Sequence, residues 1–89
     1  MPNRESRPKR MNQVIAQKAS NDFLLFNMID GNYYSLNDIG GRIWELCDGN
    51  HSVLQLVTIL STEYDASPEV LEKDVEELLE ALRNGKLIS

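Results

Sequence analysis

Residues 32–49 read NYYSLNDIGGRIWELCDG, and the change of pattern inside this stretch decides the fold. Asn32, Tyr33, Tyr34, Ser35 and Leu36 have the aromatic-rich character of a strand. At Asn37, a good N-cap, the period changes, and Ile39, Ile43, Leu46 and Cys47 recur at helical spacing. Gly40 and Gly41 each cost about 1 kcal/mol relative to Ala in a helix interior, so close packing of this helix against the strand before it has to offset them. Asp48-Gly49 ends the helix, glycine being suited to the left-handed conformation at a helix C-terminus. The stretch therefore joins a strand edge to a helical layer.

Upstream, 12–18 (NQVIAQK) and 22–28 (DFLLFNM) read as two more strands, with the turn composition ASND between them. Asp30-Gly31 can supply the positive φ of a tight hairpin, which makes 32–36 a third strand antiparallel to the second. Downstream, Ser52 and Gln55 have capping-box spacing, and Val53, Leu54, Leu56, Val57, Ile59, Leu60 and Tyr64 give the second helix a broad, largely buried apolar face. Ser67-Pro68 opens a third helix that runs to Asn84 and stops at Gly85. Its core stripe is Leu71, Val75, Leu78, Leu79 and Leu82, with Glu69, Glu72, Glu76 and Glu80 toward solvent, and Glu69–Lys73 and Lys73–Glu77 stand at the i, i+4 spacing of a solvated helix surface. Leu87-Ile88 forms a terminal strand or packing clip. The order is α+β and winged-helix-like, a three-stranded antiparallel sheet followed by three helices.

The 89 residues suit one domain with one small core. Met1 to Arg10 holds Arg4, Arg7, Lys9 and Arg10 against Glu5, a balance of +3, so the rest of the chain carries −8 of the overall −5. Residues 1–11 read as a flexible basic tail and 12–89 as the domain. An acidic body repels phosphates, which argues against nucleic acid as a partner. With one cysteine and no signal-like or spanning apolar run, the chain reads as cytoplasmic, with no membrane partner.

No constellation supports catalysis. His51, the single histidine, lacks a partner at metal-ligand spacing and reads as a surface residue; Cys47 lacks a nearby His or second Cys and reads as a buried, inert thiol. Gly40-Gly41 lacks the spacing of a phosphate loop. No enzyme activity, metal or cofactor is expected. What remains is the third strand, where Tyr33 and Tyr34 point to opposite faces and Tyr34 shares the side of Leu36. Both tyrosines serve either cross-strand packing or a strand edge that accepts an extended peptide.

The combination of YYSLN at 33–37, Gly40, Ile43-Trp44, Asp48-Gly49, Tyr64, Asp74-Val75, Leu79, Leu82 and Gly85-x-Leu87 resembles the PqqD-like family, the RiPP recognition elements, over roughly residues 14–88. The resemblance implies a non-catalytic winged-helix-like domain that binds the leader segment of a ribosomally made precursor peptide and presents it to modifying enzymes. The leader then adds to the third strand, at Asn32, Tyr33, Tyr34, Ser35 and Leu36. It lies against the third helix, where Val70, Lys73, Asp74, Glu77, Leu78 and Ala81 face the cleft. NYYSLNDIGGRIW looks closer to the stand-alone proteins of lasso-peptide pathways than to members from coenzyme PQQ synthesis, which implies a separate leader peptidase as partner. Competing readings are a winged-helix nucleic-acid-binding regulator, which would want Lys and Arg on its third helix, and a small subunit that merely stabilises an enzyme.

Overall fold

The computed structural model describes residues 7–19 and 22–89. Three strands, β1 (Val14–Ala19), β2 (Asp22–Asn27) and β3 (Tyr33–Leu36), form an antiparallel sheet in the order β1-β2-β3. Three helices follow, α1 (Asp38–Leu46), α2 (Val53–Glu63) and α3 (Pro68–Asn84). The expected α+β order of elements is the one observed.

The helix starts follow from short-range hydrogen bonding. The Asn37 side chain accepts from the Gly40 N–H at 2.8 Å, Ser52 and Gln55 form a reciprocal capping box, and Ser67 accepts from the Val70 N–H with Pro68 in the first turn. α1 lies against β2 and β3, while α2 packs along α3. The core collects Phe23 and Leu25 of the sheet, Leu36, Ile43 and Trp44, the inner stripe of α2 at Val53, Leu56, Val57 and Leu60, and that of α3 at Leu71, Val75, Leu79 and Leu82. α2 is less buried than its composition suggests. Leu54 and Thr58 are exposed, so one face of the helix meets water.

The glycines of α1 have different neighbours. A Cβ at Gly41 would sit 2.7 Å from the Phe23 ring on β2, and one at Gly40 would sit 3.3 Å from the Leu36 Cβ. The close approach expected from the sequence is therefore made to two strands, and Gly41 is the tighter contact. At the end of α3 the glycine also serves packing. Gly85 has φ −83, and it is Lys86 that takes the left-handed conformation at φ 61. Lys86 N–H donates to Arg83 O and Leu87 N–H to Leu82 O, the two bonds of a Schellman ending. An added Cβ at Gly85 would instead meet the far end of Tyr34, whose hydroxyl would lie 2.7 Å from it, so the Tyr34 ring would have to shift.

The residues expected as a basic tail divide into two parts. Residues 1–6 lie outside the described residues, as do Ser20 and Asn21 of the expected turn. Arg7, Pro8, Lys9, Arg10 and Met11, however, are laid against the body. Pro8 is buried, Lys9 pairs with Asp48, and Arg10 pairs with Ile88. The backbone bonds Arg10 N–H to Cys47 O, Met11 N–H to Leu87 O, Gly49 N–H to Pro8 O and Ser89 N–H to Lys9 O close the strap at 2.9 to 3.0 Å. The Arg10 guanidinium donates to Trp44 O at 3.1 Å and to Glu45 O at 2.6 Å, carbonyls at the C-terminal end of α1. A cation there adds a donor to the terminal carbonyls, of which Trp44 O already accepts from the Cys47 N–H, and opposes the negative end of the helix dipole. The basic residues are thus partly structural. Leu87 and Ile88, read as a terminal strand or clip, are both buried under this strap.

Candidate functional site

β3 is an outer strand, and its hydrogen-bonding phase follows from the hairpin. Asn27 N–H donates to Asn32 O at 3.0 Å, and the register pairs Leu25 with Tyr34 and Phe23 with Leu36. Because antiparallel pairs alternate, Asn32, Tyr34 and Leu36 turn their backbone groups toward β2. Tyr33 and Ser35 turn theirs to the open side, where no strand lies among the described residues. The hairpin is held by Gly31, at φ +74, whose N–H donates to Asn27 O. Of the expected Asp30-Gly31 pair, only Gly31 takes a positive φ. Asp30 contributes through its carboxylate, which accepts from the Asn32 N–H at 2.9 Å.

Beside this edge runs a cleft toward α3. One depression of about 480 Å³ is lined by Ser35, Leu36, Asn37, Ile39, Gly40, Ile43, Asp74, Glu77 and Leu78. A second, of about 260 Å³, lies at the other end of the strand and is lined by residues that include Asn32, Tyr34, Asn84, Gly85 and Lys86. At this second end Asn27, a buried polar residue, ties the hairpin to the end of α3. Its side-chain amide donates to Gly85 O, and its side-chain oxygen accepts from the Ile29 N–H. Sequence reasoning missed Asn27. A polar residue closing the alternation of DFLLFN on its buried side was the available signal.

The residues anticipated for peptide binding divide accordingly. Ser35, Leu36, Asp74, Glu77 and Leu78 share the larger depression, and Tyr34 faces the smaller. Asn32 precedes β3 rather than belonging to it, and its N–H and C=O are already bonded to Asp30 and Asn27. Tyr33 is 72% exposed on the opposite face of the sheet, its ring 4.8 Å from that of Phe26. Val70, Lys73 and Ala81 are exposed and line neither depression. Among the described residues Lys73 makes no ion pair, and Glu69, Lys73 and Glu77 are all exposed.

Two titratable groups outside the cleft explain themselves locally. The Cys47 thiol is buried and within 3.1 Å of Ile43 O, and desolvation pushes its pKa up to about 12. Thiolate is the reactive form, so native Cys47 should resist iodoacetamide at pH 8 and react once the protein is unfolded. Rapid labelling of the native protein would contradict this placement. His51 has an acidic neighbour: its Nδ1 lies 2.9 Å from Asp48 Oδ1. The Asp48 carboxyl is held below its ordinary value, first by the Asn50 N–H and then by His51. No group of three or more metal-ligating side chains occurs among the described residues.

Comparison with known proteins places this geometry in a lineage. Over 51 residues, 56% of this chain, the sequence is 49% identical to a PqqA binding protein of Methylococcus capsulatus. That alignment spans about half the relative's length, 53%. Among solved structures, TbiB1 in complex with the TbiA(beta) leader peptide is similar at a TM-score of 0.81 and 26% identity, over 91% of this chain and 94% of that one. A lasso peptide synthetase B1 complexed with its leader peptide shares the fold at a TM-score of 0.83 and 19% identity, over 94% and 99% of the two chains. The family described as coenzyme PQQ synthesis protein D (PqqD) matches residues 22–88, and with three-quarters of its length inside that match the chain belongs to the PqqD family.

Proposed function

We propose that this chain is a non-catalytic adaptor that binds the leader segment of a ribosomally synthesised precursor peptide as an added strand on β3. It holds the leader against α3 and presents it to a separate partner enzyme, a leader peptidase or another modifying enzyme. The observation that carries the reading is the open edge at Tyr33 and Ser35 beside the cleft. An extended peptide satisfies such an edge by main-chain hydrogen bonds and places alternate side chains into the neighbouring depression. The relatives support the same occupant, since one is named for binding PqqA and two are described in complex with leader peptides. A lasso-peptide pathway in the cytoplasm is the setting we favour. No helix among the described residues is long and apolar enough to cross a membrane.

Titration calorimetry of the protein with the leader of its own precursor should show binding with a negative heat-capacity change, without cleavage or modification of the peptide. Turnover by this protein alone would contradict the adaptor reading. Ser35→Pro removes an N–H that the ladder phase points away from β2, so it should lower affinity about tenfold while leaving the hairpin paired. Wild-type affinity in the folded variant would place the leader elsewhere. The regulator reading has no comparable support, because the exposed side of α3 carries Glu69, Asp74, Glu77 and Glu80 against Lys73. Duplex DNA should therefore show no gel shift at physiological salt.

A further inference from the structure

The larger depression has two chemistries. Its floor is apolar, built from Leu36, Ile39, Ile43 and Leu78, and its lip carries the carboxylates of Asp74 and Glu77. The two acids lie three residues apart on α3, hence on the same face, and both are exposed. Among the described residues neither has a hydrogen bond or an ion pair. A strand laid on β3 would turn every second side chain to the side of Leu36, over this floor. A purely apolar side chain there would cover the floor but take water from two unpaired carboxylates, and an acidic one would be repelled. A long cation fits both parts. Its methylene stem lies along Leu36, Ile39 and Leu78 while its head stays at the wet lip beside Asp74 and Glu77.

We propose that the groove selects an arginine or lysine in the bound strand, seated over Leu78 with its charge at Asp74 and Glu77. This rests on the strand-addition reading above and adds to it a charge requirement on the peptide. The opposite end of the cleft carries Lys86 and Asp30, whose carboxylate is already bonded to Asn27 and Asn32 within the hairpin, so the unpaired acids at Asp74 and Glu77 also set which way along β3 the peptide's basic end lies.

The test uses the full chain, labelled for amide NMR, and short blocked peptides. These share one alternating Thr/Val host and differ at a single central guest, Arg, Lys, norleucine or Glu. The Tyr33 and Ser35 amide signals report whether a strand has added, and the guest series reports the cation. Arg and Lys guests should bind about fivefold more tightly than norleucine, with Glu weakest, the scale of a half-exposed ion pair. That preference should vanish in the double variant Asp74→Asn, Glu77→Gln and shrink in high salt, with the Tyr33 and Ser35 shifts retained. Equal affinity for Arg and norleucine, with those shifts present, would overturn the charge requirement and leave strand addition standing. If Tyr33 and Ser35 shift with none of the guests, strand addition fails and the charge requirement fails with it.

Discussion

Replacing Trp44 by Ala should unfold much of this protein at moderate temperature. Trp44 is 4% exposed and belongs to the same core cluster as Ile43, Leu46 and the sheet residues Phe23 and Leu25. Removing a buried Trp side chain costs about 3–5 kcal/mol. A chain of this length has roughly 5–13 kcal/mol of stability in all. At about 4 °C or more per kcal/mol for a domain this small, the melting temperature should fall by at least roughly 12 °C. Thermal denaturation followed by circular dichroism measures this directly, and an unchanged midpoint would mean that α1 presents a different face to the sheet.

Deleting residues 1–11 should also destabilise the fold, by about 2–4 kcal/mol. The strap they contain makes the four backbone bonds and the two Arg10 side-chain bonds described above, and it lies over Leu87, Ile88 and Cys47. Each hydrogen bond contributes about 1 kcal/mol net, more when the donor is a guanidinium, and carbonyls regain water when the strap leaves, so the total is well below the sum of the parts. A flexible tail would make the deletion neutral. Chemical denaturation of the shortened chain against the full one separates the two outcomes. Arg10→Ala alone should reproduce part of the loss, because it strips the cation from the end of α1 while keeping the backbone pairing.

These two segments mark what a sequence can and cannot disclose here. The caps at Asn37, Ser52 and Ser67 were legible because each is a bond between a side chain and a backbone N–H within three residues. The opposite facing of Tyr33 and Tyr34 was legible because strand geometry alone requires it. The strap was not, since Arg10 meets Cys47 and Ile88 only once the chain has folded, and its composition resembles that of any solvated basic end. Gly85 looks like an ordinary helix stop in the sequence; its close approach to the Tyr34 ring is made only in the folded chain.

The candidate site was legible in part, for the same reason. Asp74, Glu77 and Leu78 could be placed on one face of a helix, and the structure brings them to Ser35 and Leu36. Val70, Lys73 and Ala81 lie one step round the same helix, and the sequence alone does not fix the helical phase relative to β3. Which backbone groups of β3 are open depends on the pairing of Asn27 with Asn32, a register that no local pattern specifies. The same register leaves Ile15, Leu24, Met28 and Tyr33 exposed as large apolar residues. A strict alternation of apolar-in and polar-out would have predicted polar residues there.

The central proposal, that a leader peptide becomes the fourth strand of this sheet at β3, is tested most directly by amide hydrogen exchange at Tyr33 and Ser35 with and without a bound leader. In the free protein both N–H groups should exchange rapidly, because the ladder phase turns them to the open edge. On binding both should become strongly protected, while Tyr34 and Leu36, already bonded to β2, change far less. Protection that appears on α3 or at the edge of β1 with Tyr33 and Ser35 still exchanging freely would contradict strand addition at β3.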